Sequence, residues 1–249
     1  MRRTLPSVSG SVHHAVVTSI RGIADAVYEY VLTLPVDDAR LTWRPGQFIS
    51  LTCGKTEEGE PLLRSYSIAS SPGTGEVRLV IKLIPHGAAS RWLAGLQVGT
   101  PVYFTGPMGF FVLELTHPGD IVFAATGTGL APVVPMVREL LGKSEPGQIH
   151  LYWGLRTQKD LFWREELAAL AHPRLTVHTH LSQPEPPPTP AWTGARGRIT
   201  GPLLEHLPTL HKPTFYLVGN GAMIRELKHA LQERGVDRKR QIRTEAFFE

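Results

Sequence analysis

Residues 120–132 read Asp-Ile-Val-Phe-Ala-Ala-Thr-Gly-Thr-Gly-Leu-Ala-Pro, and this stretch decides the fold of the second half of the chain. Its continuous apolar run is typical of a strand buried on both faces of a sheet. The glycines that follow indicate a tight turn into a helix, which we expect over residues 131–141. Pro132 and Pro135 fall in or just beyond the first turn of that helix, where proline is best tolerated.

Strands and helices alternate from this motif to the C-terminus. Further strands are predicted at residues 149–154, 175–181, 214–218 and 241–248, and further helices at 160–170, with Asp160 as the cap, and at 222–234. Such alternation predicts a C-terminal α/β parallel-sheet nucleotide-binding domain over residues 119–249. Residues 183–190, Gln-Pro-Glu-Pro-Pro-Pro-Thr-Pro, indicate a stiff loop within that domain rather than a boundary.

The region before the motif has a different pattern. Short strand-like segments occur at residues 26–34, 47–51, 65–69, 76–83 and 100–105, with turn residues between them and almost no helical pattern. Such a series predicts an N-terminal antiparallel β-barrel over residues 8–112, joined to the second domain near residues 112–119.

Composition excludes several kinds of electron carrier and site. The 249 residues include one cysteine, Cys53, which by itself cannot form an internal disulfide, a structural zinc site or an iron–sulfur cluster. His178 and His180 share one strand face, but no third ligand is evident near them, so we expect no metal site. We expect no signal peptide, no membrane span and no nucleic-acid partner. The expected location is the cytoplasm.

Thr126, Gly127, Thr128 and Gly129 lie directly between the buried strand and the helix. Glycines at such a turn let the backbone approach a diphosphate, and the first turn of the helix supplies free N–H groups. The full dinucleotide-binding pattern is not present, so a glycine-rich turn that binds nothing is an equally good interpretation of this motif by itself.

A second motif, Arg64-Ser65-Tyr66-Ser67, lies in a strand of the predicted barrel. The planar fork of arginine suits a diphosphate. Tyrosine can stack on a flat heterocycle, and a serine hydroxyl can bond to a ring nitrogen. Without other motifs, an ordinary half-exposed strand would explain these residues better.

These motifs occur together and in order. The series is Pro45-Gly-Gln-Phe48, Arg64-Ser-Tyr-Ser67, Gly87-Ala-Ala-Ser90, Gly106-Pro-Met-Gly109, Thr126-Gly-Thr-Gly-Leu-Ala-Pro132 and Gly219-Asn-Gly-Ala-Met223. It resembles the ferredoxin–NADP reductase family, in particular the bacterial reductases that feed ferredoxins or oxygenases. The resemblance runs from about residue 10 to the C-terminus.

The resemblance implies FAD on the barrel. Arg64 would bind the FAD diphosphate, Tyr66 would stack on the isoalloxazine ring, and Ser67 would lie near flavin N5. The same site would be lined by Ile81 and Lys82, and the diphosphate would also receive hydrogen bonds from Gly87, Ala88, Ala89 and Ser90.

The resemblance also implies NADPH or NADH on the second domain. The residues that would bind it are Thr126, Gly127, Thr128 and Gly129, with Gly219 and Met223 nearby. Glu245 and Phe247 match an acidic residue and an aromatic residue that approach the other face of the flavin. Ser67 and Glu245 are therefore the candidate catalytic residues. Val218 stands where many relatives carry a cysteine beside the nicotinamide, which leaves these two residues as the polar groups of the site.

The preferred dinucleotide depends on partners for the 2′-phosphate of NADPH. Gln183 occupies a position where NADPH-specific relatives tend to have an arginine, which points toward NADH. Arg156 and Arg198 match positions near the phosphate in some NADPH-using relatives, and two guanidinium groups on one phosphate would favour NADPH roughly a hundredfold. We therefore expect NADPH.

The resulting hypothesis is an FAD-dependent NAD(P)H oxidoreductase that passes electrons to a separate ferredoxin, flavodoxin or oxygenase component. An NAD(P)H:flavin reductase that uses free flavin as its substrate is an alternative. A second alternative is an interaction module that has lost its cofactor, but the presence of Arg64, Tyr66 and Ser67 argues against it.

Overall fold

The computed structural model describes residues 11–35, 41–114, 119–144, 147–184 and 192–248. Within them the chain forms a six-stranded antiparallel sheet and then a six-stranded parallel sheet flanked by helices. The predicted pairing of an antiparallel barrel with an α/β domain is confirmed. The boundaries 8–112 and 119–249 stay a prediction, because residues 1–10 and 115–118 lie outside the described residues.

The first sheet closes into a barrel. Its strands are β1 (Val12–Ala24), β2 (Val27–Thr33), β3 (Phe48–Lys55), β4 (Pro61–Ser67), β5 (Glu76–Lys82) and β6 (Pro101–Met108), and the helix α1 (Ala88–Ala94) lies between β5 and β6. The strand order is β4-β3-β6-β1-β2-β5, and an antiparallel bridge between Ile68 and Leu79 joins the two ends. Inward-facing side chains such as Tyr30, Leu32 and Phe104 fill the interior.

The strand β1 was not predicted. Only Ala15 and Val17 of its 13 residues are fully buried, so the strand carries little apolar alternation. The pairing of β1 with β2 is irregular between Val17 and Ser19 and again between Gly22 and Ala24. Because a bulge moves the following side chains to the other face, a period-two pattern does not persist along this strand.

The second sheet is parallel throughout. Its strands are β7 (Ile121–Thr126), β8 (Ile149–Leu155), β9 (Leu175–Leu181), β10 (Ala195–Arg196), β11 (Thr214–Asn220) and β12 (Ile242–Phe248), in the order β10-β9-β8-β7-β11-β12. The helices are α2 (Leu130–Leu141), α3 (Arg164–Ala168), α4 (Thr200–His206), α5 (Gly221–Glu233) and α6 (Arg238–Gln241). Phe123 packs on the side of α2 and Val122 on the side of α4 and α5, which confirms that β7 is buried on both faces. No described helix is long and apolar enough to cross a membrane.

The predicted helix over residues 160–170 is wrong in its start and its length. Asp160 belongs to a short 3-10 turn, Gln158–Asp160, in which its carboxylate accepts from the backbone N–H of Thr157 at 3.1 Å. The following helix α3 has only five residues and begins after Trp163, whose φ of 52° interrupts the helical path. The carboxylate of Asp160 also binds Lys82 of the barrel, which is a contact between the two domains.

The expectation that no third ligand lies near the strand histidines is also wrong. His178 and His180 on β9 do lie on one face of the sheet, close to Tyr152 of β8. His150 of β8 and His206, the last residue of α4, contribute two further imidazoles there. The spacing in the sequence could not show this cluster, because it depends on the register of two strands and on where α4 packs.

Ion pairs and hydrogen bonds hold the two domains together on one side. Glu29 of the barrel is 4% exposed and accepts from the indole N–H of Trp163 at 2.9 Å. Arg78 of the barrel lies 3.1 Å from the carboxylate of Glu166 on α3, and Lys82 lies 2.8 Å from Asp160. These contacts fix the position of the parallel sheet relative to the barrel.

Candidate active site

The two candidate catalytic residues meet where the domains face each other. Ser67 is the last residue of β4, and Glu245 lies in β12, 178 positions later in the sequence. The hydroxyl of Ser67 donates a hydrogen bond of 3.0 Å to Oε1 of Glu245. The structure thus brings together two residues that the family resemblance assigned to the site.

The carboxyl group of Glu245 has an unusually high pKa. Burial between the domains raises the pKa of Glu245 to about 7, and the hydrogen bond from Ser67 offsets part of that rise. A carboxyl group with such a pKa can take up or release a proton near neutral pH. Val218 is fully buried and pairs with Glu245 across the sheet, so no thiol lies beside this carboxyl group from that position.

The glycine-rich turn after β7 forms a 3-10 turn, Gly127–Gly129, that leads directly into α2. Among the described residues no side chain caps either segment, which leaves backbone N–H groups available to a ligand. The indole N–H of Trp153 donates to the carbonyl oxygen of Gly127 at 3.0 Å and holds the turn in place. Gly129 packs so closely on β11 that an added Cβ would lie 2.8 Å from the carbonyl oxygen of Val218.

A second turn, after β11, is hydrogen-bonded to the first. The backbone N–H of Asn220 donates to the hydroxyl of Thr126 at 2.8 Å, and the Asn220 side chain caps α5 by accepting from the N–H of Met223 at 3.1 Å. Gly219 has a φ of +111°, and an added Cβ there would lie 2.7 Å from the carbonyl oxygen of Thr126. Only glycine permits the two turns to approach this closely.

Both turns lie at the point where the strand order reverses. From β7 the chain adds β8, β9 and β10 on one side, and then returns to place β11 and β12 on the other. In open α/β sheets the crevice at such a point, outside the carboxyl ends of the strands, is the usual ligand site. Thr126, Gly127, Thr128, Gly129, Gly219 and Met223 are thereby brought to one crevice.

The barrel presents its candidate residues on β4. Arg64 is exposed and donates only to the neighbouring carbonyl oxygen of Leu63, with no ion-pair partner among the described residues. Tyr66 is half-buried and packs against the barrel core. Burial, followed by the nearby Cys53 thiol, raises the pKa of Tyr66 well above its usual range, so the phenol is neutral. Burial raises the pKa of Cys53 itself to about 11, which makes it an unreactive thiol.

The loop before α1 is ordered by its own serine. The hydroxyl of Ser90 accepts from the backbone N–H of Ile84 at 2.9 Å, and no described side chain caps the first turn of α1. The backbone N–H groups of Ala88 and Ala89 therefore have no capping group. Gly87 is confined, since an added Cβ would lie 3.2 Å from the Ser90 hydroxyl.

The other predicted residues are more dispersed. Ile81 is buried in the barrel core, and the ammonium group of Lys82 is bound to Asp160 in the second domain. Phe247 is half-buried against the core of the parallel domain. Arg156 donates to Oε1 of Gln183 at 3.2 Å, while Arg198 is 81% exposed and lies 3.8 Å from Glu226.

Three residues that contribute to the site were not predicted to do so. Asn220 links the two turns, Trp153 fixes the first turn, and Asp160 binds the lysine of the barrel. The position of Asn220, directly before a helix, is a capping signal that could have been recognised in the sequence. The other two depend on contacts between distant segments. Phe162 and Trp163 are buried and pack in the core of the parallel domain.

Comparisons with known proteins agree with this geometry. A model of the oxidoreductase FAD-binding domain matches residues 14–113, and a model of the oxidoreductase NAD-binding domain matches residues 123–229. Ferredoxin–NADP reductase B of Sorangium cellulosum (strain So ce56) is 31% identical over 219 residues, which cover 82% of this chain and 85% of that protein. This chain belongs to the ferredoxin–NADP reductase family. Its barrel is the FAD-binding domain of the family, and its parallel sheet is the NAD-binding domain.

Other family members are longer. The reductase component of propane 2-monooxygenase from Rhodococcus jostii (strain RHA1) is 31% identical over 207 residues, which cover 81% of this chain but 55% of that protein. The chain thus spans little more than half the length of this curated relative. The crystal structure of a cytochrome P450 reductase from Amycolatopsis superposes with a TM-score of 0.83 at 27% identity, over 97% of this chain and 72% of the other.

The residues present fit the two cofactors of the family. A diphosphate requires cationic groups and free N–H donors. The barrel offers the guanidinium of Arg64, whose single hydrogen bond within the described part of the chain goes to the carbonyl oxygen of Leu63, and the uncapped first turn of α1. The uncapped turn Gly127–Gly129 offers the same kind of donor on the second domain. Ser67 of the barrel and Glu245 of β12 join the two domains through a hydrogen bond between their side chains.

Proposed function

We propose that this chain takes electrons from NAD(P)H and passes them, through bound FAD, to a separate one-electron carrier protein. The hydrogen bond between Ser67 and Glu245 is the observation that carries the proposal, because it lies between the FAD-binding and NAD-binding domains. When bound, FAD accepts two electrons as a hydride from the nicotinamide and can release them one at a time.

The protein supplies binding, orientation and a proton site. Arg64 and the first turn of α1 would hold the FAD diphosphate, and Tyr66 would support its ring system. The turns at Thr126 and Gly219 would place the nicotinamide nucleotide against it. Ser67 orients Glu245, whose pKa of about 7 allows its carboxyl group to hold or release a proton as electrons enter and leave the site.

The electron partner is a protein carrier such as a ferredoxin, a flavodoxin or an oxygenase component. Relatives named as reductase components of oxygenase systems support this class of partner. Phe110 follows β6 and is 93% exposed. It lies close to the site along the sheet, because Met108 of β6 pairs with Phe48 of β3, and Phe48 pairs with Ser67 of β4. This exposed ring next to the site, with the net charge of +4, suits a docking surface for an acidic carrier. The cytoplasmic location stays a prediction.

NADPH is the proposed dinucleotide. Arg156 follows β8 and Arg198 follows β10, two strands away in the sheet order, so both side chains leave the same carboxyl edge. Neighbouring strands are about 4.8 Å apart, so the two strand ends are separated by roughly 10 Å, a span that two arginine side chains can bridge to one phosphate. The side chain of Gln183 also reaches Arg156, which keeps that guanidinium at this edge.

The visible spectrum of purified, dialysed protein tests the function. Retained FAD absorbance that bleaches on addition of NAD(P)H, with subsequent reduction of a ferredoxin, is the expected result. Colourless protein that reduces added free flavin would instead identify a flavin reductase. Colourless protein without such activity would identify an interaction module.

Steady-state kcat/KM with NADPH and with NADH tests the dinucleotide. We expect wild type to prefer NADPH and Arg198→Ala to lose most of that preference. The Arg196→Ala variant removes the neighbouring arginine of β10, whose guanidinium lies near the carbonyl oxygen of Trp192, and serves as the control. A wild type that prefers NADH, or equal effects of the two variants, would contradict the role of Arg198.

A further inference from the structure

A cluster of four histidines lies on the face of the parallel sheet that α4 covers, away from the candidate active site: His150, His178, His180 and His206. His150 lies near the amino end of β8, and His178 lies on β9 opposite Tyr152. His206 ends α4 and lies over both strands, with its ring centre 4.6 Å from that of His150. One ring nitrogen from each of His150, His178 and His206 lies within 4.8 Å of the other two.

We propose that His150, His178 and His206 form a binding site for a divalent first-row transition metal ion such as Zn²⁺. Three imidazoles are a donor set that zinc, copper and nickel favour, and three protein ligands leave a fourth position for water. Zn–N bonds of about 2.0–2.1 Å place tetrahedral ligand nitrogens roughly 3.3 Å apart, so small side-chain rotations bring these nitrogens into range.

The state of the ring nitrogens supports a ligand at this place. Nδ1 of His150 and Nε2 of His178 are buried and have no hydrogen-bond partner among the described residues. A buried polar atom without a partner is costly and uncommon, and a metal ion would satisfy both.

Tyr152 is positioned to orient two of the three imidazoles. Its hydroxyl lies 2.7 Å from Nδ1 of His206, and its ring stacks on that of His178 with centroids 4.4 Å apart. Metal binding through Nε2 of His206 requires the tautomer in which Nδ1–H donates to the tyrosine oxygen. Such a hydrogen bond from a ligating histidine is a usual feature of metal sites, and it fixes the ring orientation.

The location indicates a structural role. The carboxyl ends of the strands carry the nucleotide crevice, whereas His150 is the second residue of β8 and lies at the opposite end. A metal ion bound here would join the end of α4 to β8 and β9. We therefore expect the ion to stabilise the NAD-binding domain without taking part in electron transfer.

Zn²⁺ binding to the FAD-loaded protein tests the proposal. After treatment with a chelator and removal of that chelator, the protein would be dialysed against ZnCl₂ and its bound metal quantified together with its thermal unfolding. We expect one Zn²⁺ per chain and a higher Tm for wild type. His178→Ala and His206→Gln should each weaken binding by at least roughly 100-fold, and Tyr152→Phe by roughly 10-fold.

His229→Ala is the matched control, because His229 is 74% exposed and faces Glu233 on the surface of α5. It should bind Zn²⁺ as wild type does. The His206→Gln variant changes a half-buried residue at a helix end, so it remains informative if His178→Ala fails to fold. Absence of Zn²⁺ binding by wild type, or equal loss of binding in His229→Ala and His206→Gln, would overturn the proposal.

Discussion

Replacing Gly219 by alanine tests how tightly the turns after β7 and β11 are packed against each other. The residue has a φ of +111°, and the new Cβ would contact the hydroxyl of Thr126 and lie 2.7 Å from its carbonyl oxygen. Alanine in the left-handed region costs about 1–2 kcal/mol. Relief of the overlap requires backbone movement of about 0.7 Å, given an ordinary contact of 3.4 Å, and such overpacking costs roughly another 1–3 kcal/mol.

Gly235 provides the matched control in the same domain. Its φ is +85°, and an added Cβ would meet nothing within 4 Å. Gly235→Ala therefore carries the conformational cost without the overlap. We expect the free energy of unfolding to fall by about 1–2 kcal/mol in Gly235→Ala and by about 2–5 kcal/mol in Gly219→Ala.

Urea denaturation at saturating FAD measures the free energy of unfolding of both variants. The value of kcat/KM for NAD(P)H measures the effect of each substitution on the activity of the site. Because the hydroxyl of Thr126 accepts from Asn220, displacement of Thr126 disturbs both turns. We expect Gly219→Ala to lower kcat/KM on the order of 10-fold or more and Gly235→Ala to leave it unchanged. Equal destabilisation by the two variants would refute the inference that close approach to Thr126 requires glycine at position 219.

Three further substitutions test the remaining parts of the site. Arg64→Ala should fold but purify with little FAD, because loss of a charged hydrogen-bond donor to a diphosphate costs about 1.5–3 kcal/mol; normal FAD content would exclude this arginine from the site. Ser67→Ala should retain FAD but slow its reduction by NAD(P)H in stopped-flow measurements, with the pH profile shifted upward because the bond that lowers the pKa of Glu245 is lost; an unchanged rate and profile would contradict the role of Ser67. The folded-state pKa of Glu245 is raised from 4.5 to about 7, so its charge destabilises the fold increasingly as pH rises through this interval. Glu245→Gln should therefore stabilise FAD-free protein by up to about 3 kcal/mol at roughly pH 8 and have no such effect near pH 4, and a pH-independent difference would show that burial does not shift this group.

The order of the domains and the position of the glycine-rich turn follow from sequence alone. The apolar run at residues 121–125 can be recognised as a strand, because a strand buried on both faces needs no polar alternation. The glycines after it indicate a turn. Arg64 and Ser67 were assigned to the site by the resemblance of the ordered series of motifs, because Arg64-Ser65-Tyr66-Ser67 alone would fit an ordinary strand. The weakly alternating β1 shows the limit of such patterns, since its burial depends on bulges and on neighbouring strands.

Contacts between distant segments were decided only by tertiary structure. The bond between Ser67 and Glu245 joins residues that are 178 positions apart, and Lys82 meets Asp160 because the barrel docks against the second domain. The cluster of His150, His178 and His206 depends on the register of β8 with β9 and on the packing of α4. Periodicity and turn signals describe the local backbone, whereas strand register and domain docking result from the packing of the whole core, so no local pattern reveals which side chains will share a site.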